Sequence, residues 1–157
     1  MKINKDTIFQ TLDHFYELAI NGIPRTKSVF VLAEEFARSN ETRKKFIRKT
    51  IVKEAALNFS WTFATSFGGV FTLPISMPLE FSASLYLQLR MNCLIALIAG
   101  YDLKSAEVKT LIYCCLIGKN GWEILKDAGI DKEQKIGQGV LNSLGLTTLK
   151  KLQKALA

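Results

Sequence analysis

FTLPISMPLEF, Phe71 to Phe81, carries two of the chain's three prolines, four residues apart. It sits at the end of a run, Ala55 to Leu79, that contains no charged residue, and Glu80 closes that run. Two readings fit. The proline pair can mark the tip of a helical hairpin entering a membrane, or a buried corner between two core helices. Proline is accommodated in the first turn of a helix, where its missing N–H has no partner in any case, so Pro78 is expected to open a helix. Glu80 then falls in a first turn whose dipole favours a carboxylate. Pro74 and Pro78 together form the expected hairpin corner.

Outward from that corner the chain reads as helix. Ile8, Leu12, Phe15 and Ala19 share one face, with Phe9, Tyr16 and Ile20 beside it, and Asp6 or Thr7 can cap the start. Asn21-Gly22-Ile23-Pro24 is a turn signal. Ser28 is expected to cap a short helix with Val29, Leu32 and Phe36, and Asn40 to cap the next. Beyond the corner, a helix is expected to about Ala99, with Gly100 as its C-cap. Ser105 can then cap a helix presenting Val108, Leu111, Ile112 and Cys115, stopped by Gly118. A short helix follows around Trp122 to Ala128. DKEQKIGQGVLNSLG is a weaker, glycine-interrupted helix, and TTLKKLQKALA is short, basic and amphipathic. The expected fold is all-α: residues 1–157 as a single helical domain around a central, proline-cornered apolar hairpin.

At 157 residues with 48% hydrophobic and 22% charged residues, the chain can bury a core and is not compositionally disordered. Its net charge of +7 suits an anionic partner. MKINKDTIFQ lacks the apolar stretch of a signal peptide, and Cys93, Cys114 and Cys115 read as buried thiols of a reducing compartment. The expected location is therefore the cytoplasm, at the inner face of the cell membrane.

The strongest charge cluster is Arg43, Lys44, Lys45, Arg48, Lys49 and Lys53, directly before the apolar run. Each such cation near an anionic leaflet contributes about 1 kcal/mol, and apolar contact beside it gives a two-part anchor. Phe71 and Leu73, near the corner, complete the proposed membrane contact. A basic solvated face is the plainer alternative. Two independent spanning helices are not expected. Arg90 lies in the second arm, and an arginine at a bilayer centre costs about 2.5–3.5 kcal/mol. Glu80, Ser84 and Gln88 recur every four residues as a polar stripe. With Arg90 and Asp102, Glu80 and Gln88 form a proposed structural polar cluster, in which Arg90 meets Asp102 or Glu107; the stripe could instead line a ligand site.

Catalytic and cofactor signals are absent from the sequence. His14 is the one imidazole, near Asp13 and Glu17, and no metal-ligand spacing, nucleophile elbow, P-loop or GxGxxG occurs. The expected protein is not an enzyme, binds no cofactor or metal, and partners anionic lipid or a membrane protein in preference to nucleic acid. The oligomeric state is not encoded in any feature of the sequence.

GIPRTKSVFVLAEEF, FGGVFTLPISMP, LYLQLRMNCLIALIAGYDL and EVKTLIYCCLIG, spanning about residues 21–118, resemble the bacterial EcsC-like family. The matching motif positions are Pro74, Pro78, Gln88, Arg90, Met91, Gly100, Tyr101 and Asp102. The resemblance implies an all-α bacterial protein with a membrane connection, whose family namesake lies beside an ABC-type exporter. It implies no catalytic residues. Family members continue with another glycine-rich apolar segment, so the resemblance implies a shortened C-terminal part here. The resulting expectation is a membrane-associated accessory or scaffold linked to an ABC-type transporter. Its alternative is a soluble helical interaction or lipid-binding module with the apolar hairpin as core.

Overall fold

The computed structural model describes residues 5–24, 26–58, 79–128, 130, 148 and 151, with the side chains of residues 5–8, 57–58 and 79–82 excepted. Six helices and no strand occur among the described residues. They are α1 (Lys5–Asn21), α2 (Val29–Arg38), α3 (Arg43–Asn58), α4 (Leu79–Ile98), α5 (Ala106–Leu116) and α6 (Lys119–Asp127). The all-α expectation holds. Pro74 and Pro78, and with them the hairpin corner, lie outside the described residues, as do Phe71, Leu73 and the weak helix expected after Asp131.

α4 is the hub. It packs against α1, α2, α3 and α5, while α1 also meets α2 and α5 meets α6. A helix apolar around most of its girth must be covered by other elements. Tyr86, Leu89, Cys93 and Leu94 of α4 are fully buried against Phe15, Tyr16 and Ala19 of α1, Val29 and Leu32 of α2, and Val108 and Ile112 of α5, all one core. Among the described side chains of α4, the exposed ones fall on one narrow line, Ser84, Gln88 and Ile95.

Local chemistry sets most boundaries. The Ser28 hydroxyl accepts from the Val31 N–H at 3.3 Å, and Ser105 from Val108 at 3.4 Å, so both act as N-caps. α4 ends in a paired turn. Gly100 donates to the Leu97 carbonyl and Tyr101 to that of Ala96, both at 3.0 Å, with Gly100 at φ +91°. This is a Schellman closure, which requires the left-handed conformation glycine adopts at no steric cost. Gly22, at φ +83°, closes α1.

Three starts and one phase differ from expectation, and one of those starts is that of α6, expected around Trp122 and found at Lys119. Asp6 and Thr7 lie inside α1, which already begins at Lys5. Asn40 lies before the start of α3; the Thr42 carbonyl accepts from Phe46, placing Thr42 at the cap position. On α5, Cys114 is buried and Cys115 exposed, the reverse of the expected face. At Gly121 of α6 a Cβ would fall 1.8 Å from the Cys114 carbonyl oxygen, so α6 approaches the last turns of α5 at backbone distance.

Candidate functional site

α3 has two opposite rows. Phe46, Thr50 and Glu54, spaced by four, are buried. Phe46 packs on Phe36 of α2 with ring centroids 5.2 Å apart, fixing the N-terminal half of α3. Arg43, Lys44, Lys45, Arg48, Lys49 and Lys53 are all exposed. Lys49 pairs with Glu41 at 3.3 Å; the other five form no ion pair among the described residues. An exposed pair such as Lys49–Glu41 contributes only about 0–1 kcal/mol. The exposed side of α3 therefore carries a nearly uncompensated positive field.

Glu54 is the only acidic residue between Arg43 and Asn58, and it points inward to Arg90. Arg90 has no exposed surface. Its Nε donates to Glu54 Oε2 at 2.7 Å and its Nη2 to Oε1 at 3.1 Å, a two-pronged contact that a planar guanidinium makes and an ammonium does not. Nη1 donates to the Ala19 carbonyl at 3.1 Å, and Nη2 also donates to the Lys27 carbonyl. Ala19 sits in the last turn of α1, where carbonyls run out of helical partners. The N–H that would normally reach it, that of Ile23, is taken by the Thr26 hydroxyl at 2.9 Å. Arg90 supplies the missing donor and places a cation at a helix C-terminus. Its guanidinium carbon lies 6.0 Å from the Tyr86 ring centroid, and the Tyr86 hydroxyl lies 3.5 Å from that of Thr26. One side chain thus joins α1, the α1–α2 turn, α3 and α4.

The expected polar cluster is not what forms. Arg90 pairs with Glu54, not with Asp102 or Glu107. Gln88 is exposed and donates to Ser84 at 3.0 Å, so this part of the stripe faces outward instead of lining a cavity. Asp102 is exposed and its carboxylate accepts from the Lys104 N–H at 2.9 Å, a turn cap. Glu107 interacts with the Ser105 hydroxyl, which lowers its carboxyl below the usual range. The backbone of Glu80 lies in α4; its side chain is outside the described residues. The signal that would have found Glu54 is its phase: it continues the Phe46–Thr50 row onto the buried side.

A second polar cluster ties α1 to α5. The Tyr113 hydroxyl donates to Asp13 at 2.6 Å, and Lys109 Nζ lies 2.9 Å from the same carboxylate. Lys109 also sits 5.1 Å from the Tyr16 ring centroid, while the Tyr16 hydroxyl donates to the Leu103 carbonyl at 2.9 Å. His14 is exposed on α1, with its ring 6.3 Å from that of Phe15. Burial pushes the thiols of Cys93 and Cys114 up to about 12, which keeps both neutral and poorly nucleophilic near pH 7. Burial likewise raises the phenols of Tyr16, Tyr86 and Tyr113. Among the described residues no His, Cys, Asp and Glu group could hold a metal ion, and no helix is long and apolar enough to cross a membrane.

Comparison with protein-family models, with curated proteins and with solved structures finds no match to this chain.

Proposed function

We propose that this chain is a non-enzymatic, membrane-associated helical accessory or scaffold protein that works at the cytosolic membrane face, linked to an ABC-type transporter as the EcsC-like resemblance implies. The observation that carries the membrane part is the exposed cationic side of α3, five of whose six cations lack an ion-pair partner among the described residues. That side leads directly into the chargeless run Ala55 to Leu79. Charge draws the helix to an anionic leaflet, and apolar contact beside it adds the second component that stable attachment needs.

The test is co-sedimentation with vesicles of phosphatidylcholine with and without phosphatidylglycerol. Binding that requires the anionic lipid, falls with salt, and is lost in a Lys44→Glu/Lys45→Glu/Lys49→Glu variant supports the proposal. Binding unchanged by the three reversals removes its electrostatic part, and no binding at all removes the proposal.

The burial of α4 on several sides favours a second reading for that arm: it serves as protein core in a soluble interaction or lipid-binding module. That reading expects a monodisperse protein without detergent that carries lipid through purification. A protein that stays in the membrane fraction through salt and alkaline washes excludes it.

A further inference from the structure

The exposed side of α3 changes character along its own axis. Lys44, Arg48 and Val52 follow one another at four-residue spacing, so they form a single ridge opposite the buried row of Phe46, Thr50 and Glu54. The ridge begins with two cations and turns apolar at Val52, where Ile51 lies beside it. Val52 is 63% exposed, the highest value among the described exposed large hydrophobic residues, and Ile51 is 43% exposed. Eight residues of helix separate Lys44 from Val52, about 12 Å of rise. A helix lying flat on water gains nothing from an exposed valine and isoleucine. The same pair is suited to a surface that is charged at one depth and apolar about 10 Å deeper, which is the layering of a lipid leaflet.

We infer that α3 meets an anionic lipid leaflet obliquely, with Lys44, Lys45 and Arg48 at the phosphates and Ile51 and Val52 in the headgroup–acyl boundary. This inference rests on the membrane reading above and adds the depth and direction of contact. The charge at the start of α3 decides the occupant: Lys44, Lys45 and Arg48, without ion-pair partners among the described residues, match phosphate, and the apolar pair matches acyl chains. A nucleic acid offers the first chemistry without the second. α3 need not leave the bundle to make this contact, because Glu54 and Phe46 hold its opposite row.

The experiment measures partition onto phosphatidylcholine/phosphatidylglycerol vesicles at low and high salt for the full chain and three variants. Ile51→Ser/Val52→Ser should lower the partition coefficient about tenfold at both salt concentrations, since the lost contact is apolar. Lys44→Gln/Lys45→Gln should lower it several-fold per charge at low salt and little at high salt. Val31→Ser, at an exposed position of α2, should leave it unchanged. Parent binding that ignores Ile51→Ser/Val52→Ser overturns the oblique contact while leaving the membrane reading intact. Failure of the parent to bind overturns both. Equal loss from Val31→Ser overturns the assignment to α3, and tight salt-dependent binding to RNA in place of vesicles overturns the choice of lipid.

Discussion

Glu54 and Arg90 lie 36 positions apart and meet with an Nε–Oε2 distance of 2.7 Å, the acid 5% exposed and the base fully buried. Replacing such a pair by apolar residues is often neutral, but removing one partner leaves an uncompensated charge in the core. Arg90 also serves two backbone carbonyls, so its loss leaves those unpaired as well.

Arg90→Leu and Glu54→Leu should therefore each destabilise the domain by about 3–5 kcal/mol. The double variant should cost clearly less than the sum of the two. Arg90→Lys should not restore the parent, because an ammonium cannot span Glu54 and two carbonyls at once. Urea midpoints check this; a Glu54→Leu protein as stable as the parent would rule out the pair as a stabilising contact.

Stability should fall on the alkaline side. Burial pushes the Cys93 thiol up to about 12 in the fold, so above the ordinary thiol value of about 8.5 the unfolded chain releases this proton first. The unfolded state then binds fewer protons than the folded one, and unfolding becomes easier as pH rises. The loss is about 1.4 kcal/mol per pH unit, from the unfolded value up to the folded one. Below that window this thiol contributes no slope. Comparing urea unfolding at pH 8 and pH 10, the parent should lose more stability than Cys93→Ala; identical losses would contradict the burial of this thiol.

Gly121→Ala should be more damaging than Gly100→Ala. An added Cβ at Gly121 meets the Cys114 carbonyl oxygen at 1.8 Å, and backbone cannot swing aside as a side-chain tip can. The α5–α6 crossing must open, at a cost at or above the roughly 1–3 kcal/mol of ordinary overpacking. At Gly100 nothing lies within 4 Å, so the cost there is only that of a left-handed φ, about 1–2 kcal/mol. Thermal midpoints of the two variants give the order, and a Gly121→Ala protein melting above Gly100→Ala would contradict the close crossing.

Features set by a few adjacent residues were legible in the sequence. Ser28 and Ser105 cap where expected because a hydroxyl reaches an N–H three residues on, whatever the rest of the chain does. Gly100 and Gly118 end their helices for a similarly local reason, since both adopt positive φ. The apolar girth of α4 and the cationic composition of α3 were also plain. Asn40 misled because Ser, Thr and Asn offer overlapping capping chemistry, and Thr42 stood two residues further on. Cys114 and Cys115 were exchanged because two adjacent small apolar residues carry no phase of their own.

By itself, then, the sequence determined an all-helical chain, most of its helix ends, and a basic helix running into a chargeless stretch. Which carboxylate neutralises Arg90 was decided only in three dimensions. Asp102 and Glu107 are closer in sequence, but they lie at the start of the next unit, engaged by Lys104 and Ser105. Glu54 is brought in by the packing of α3 across α4. A buried guanidinium takes the partner that packing delivers in fork geometry, and sequence distance has no bearing on that choice.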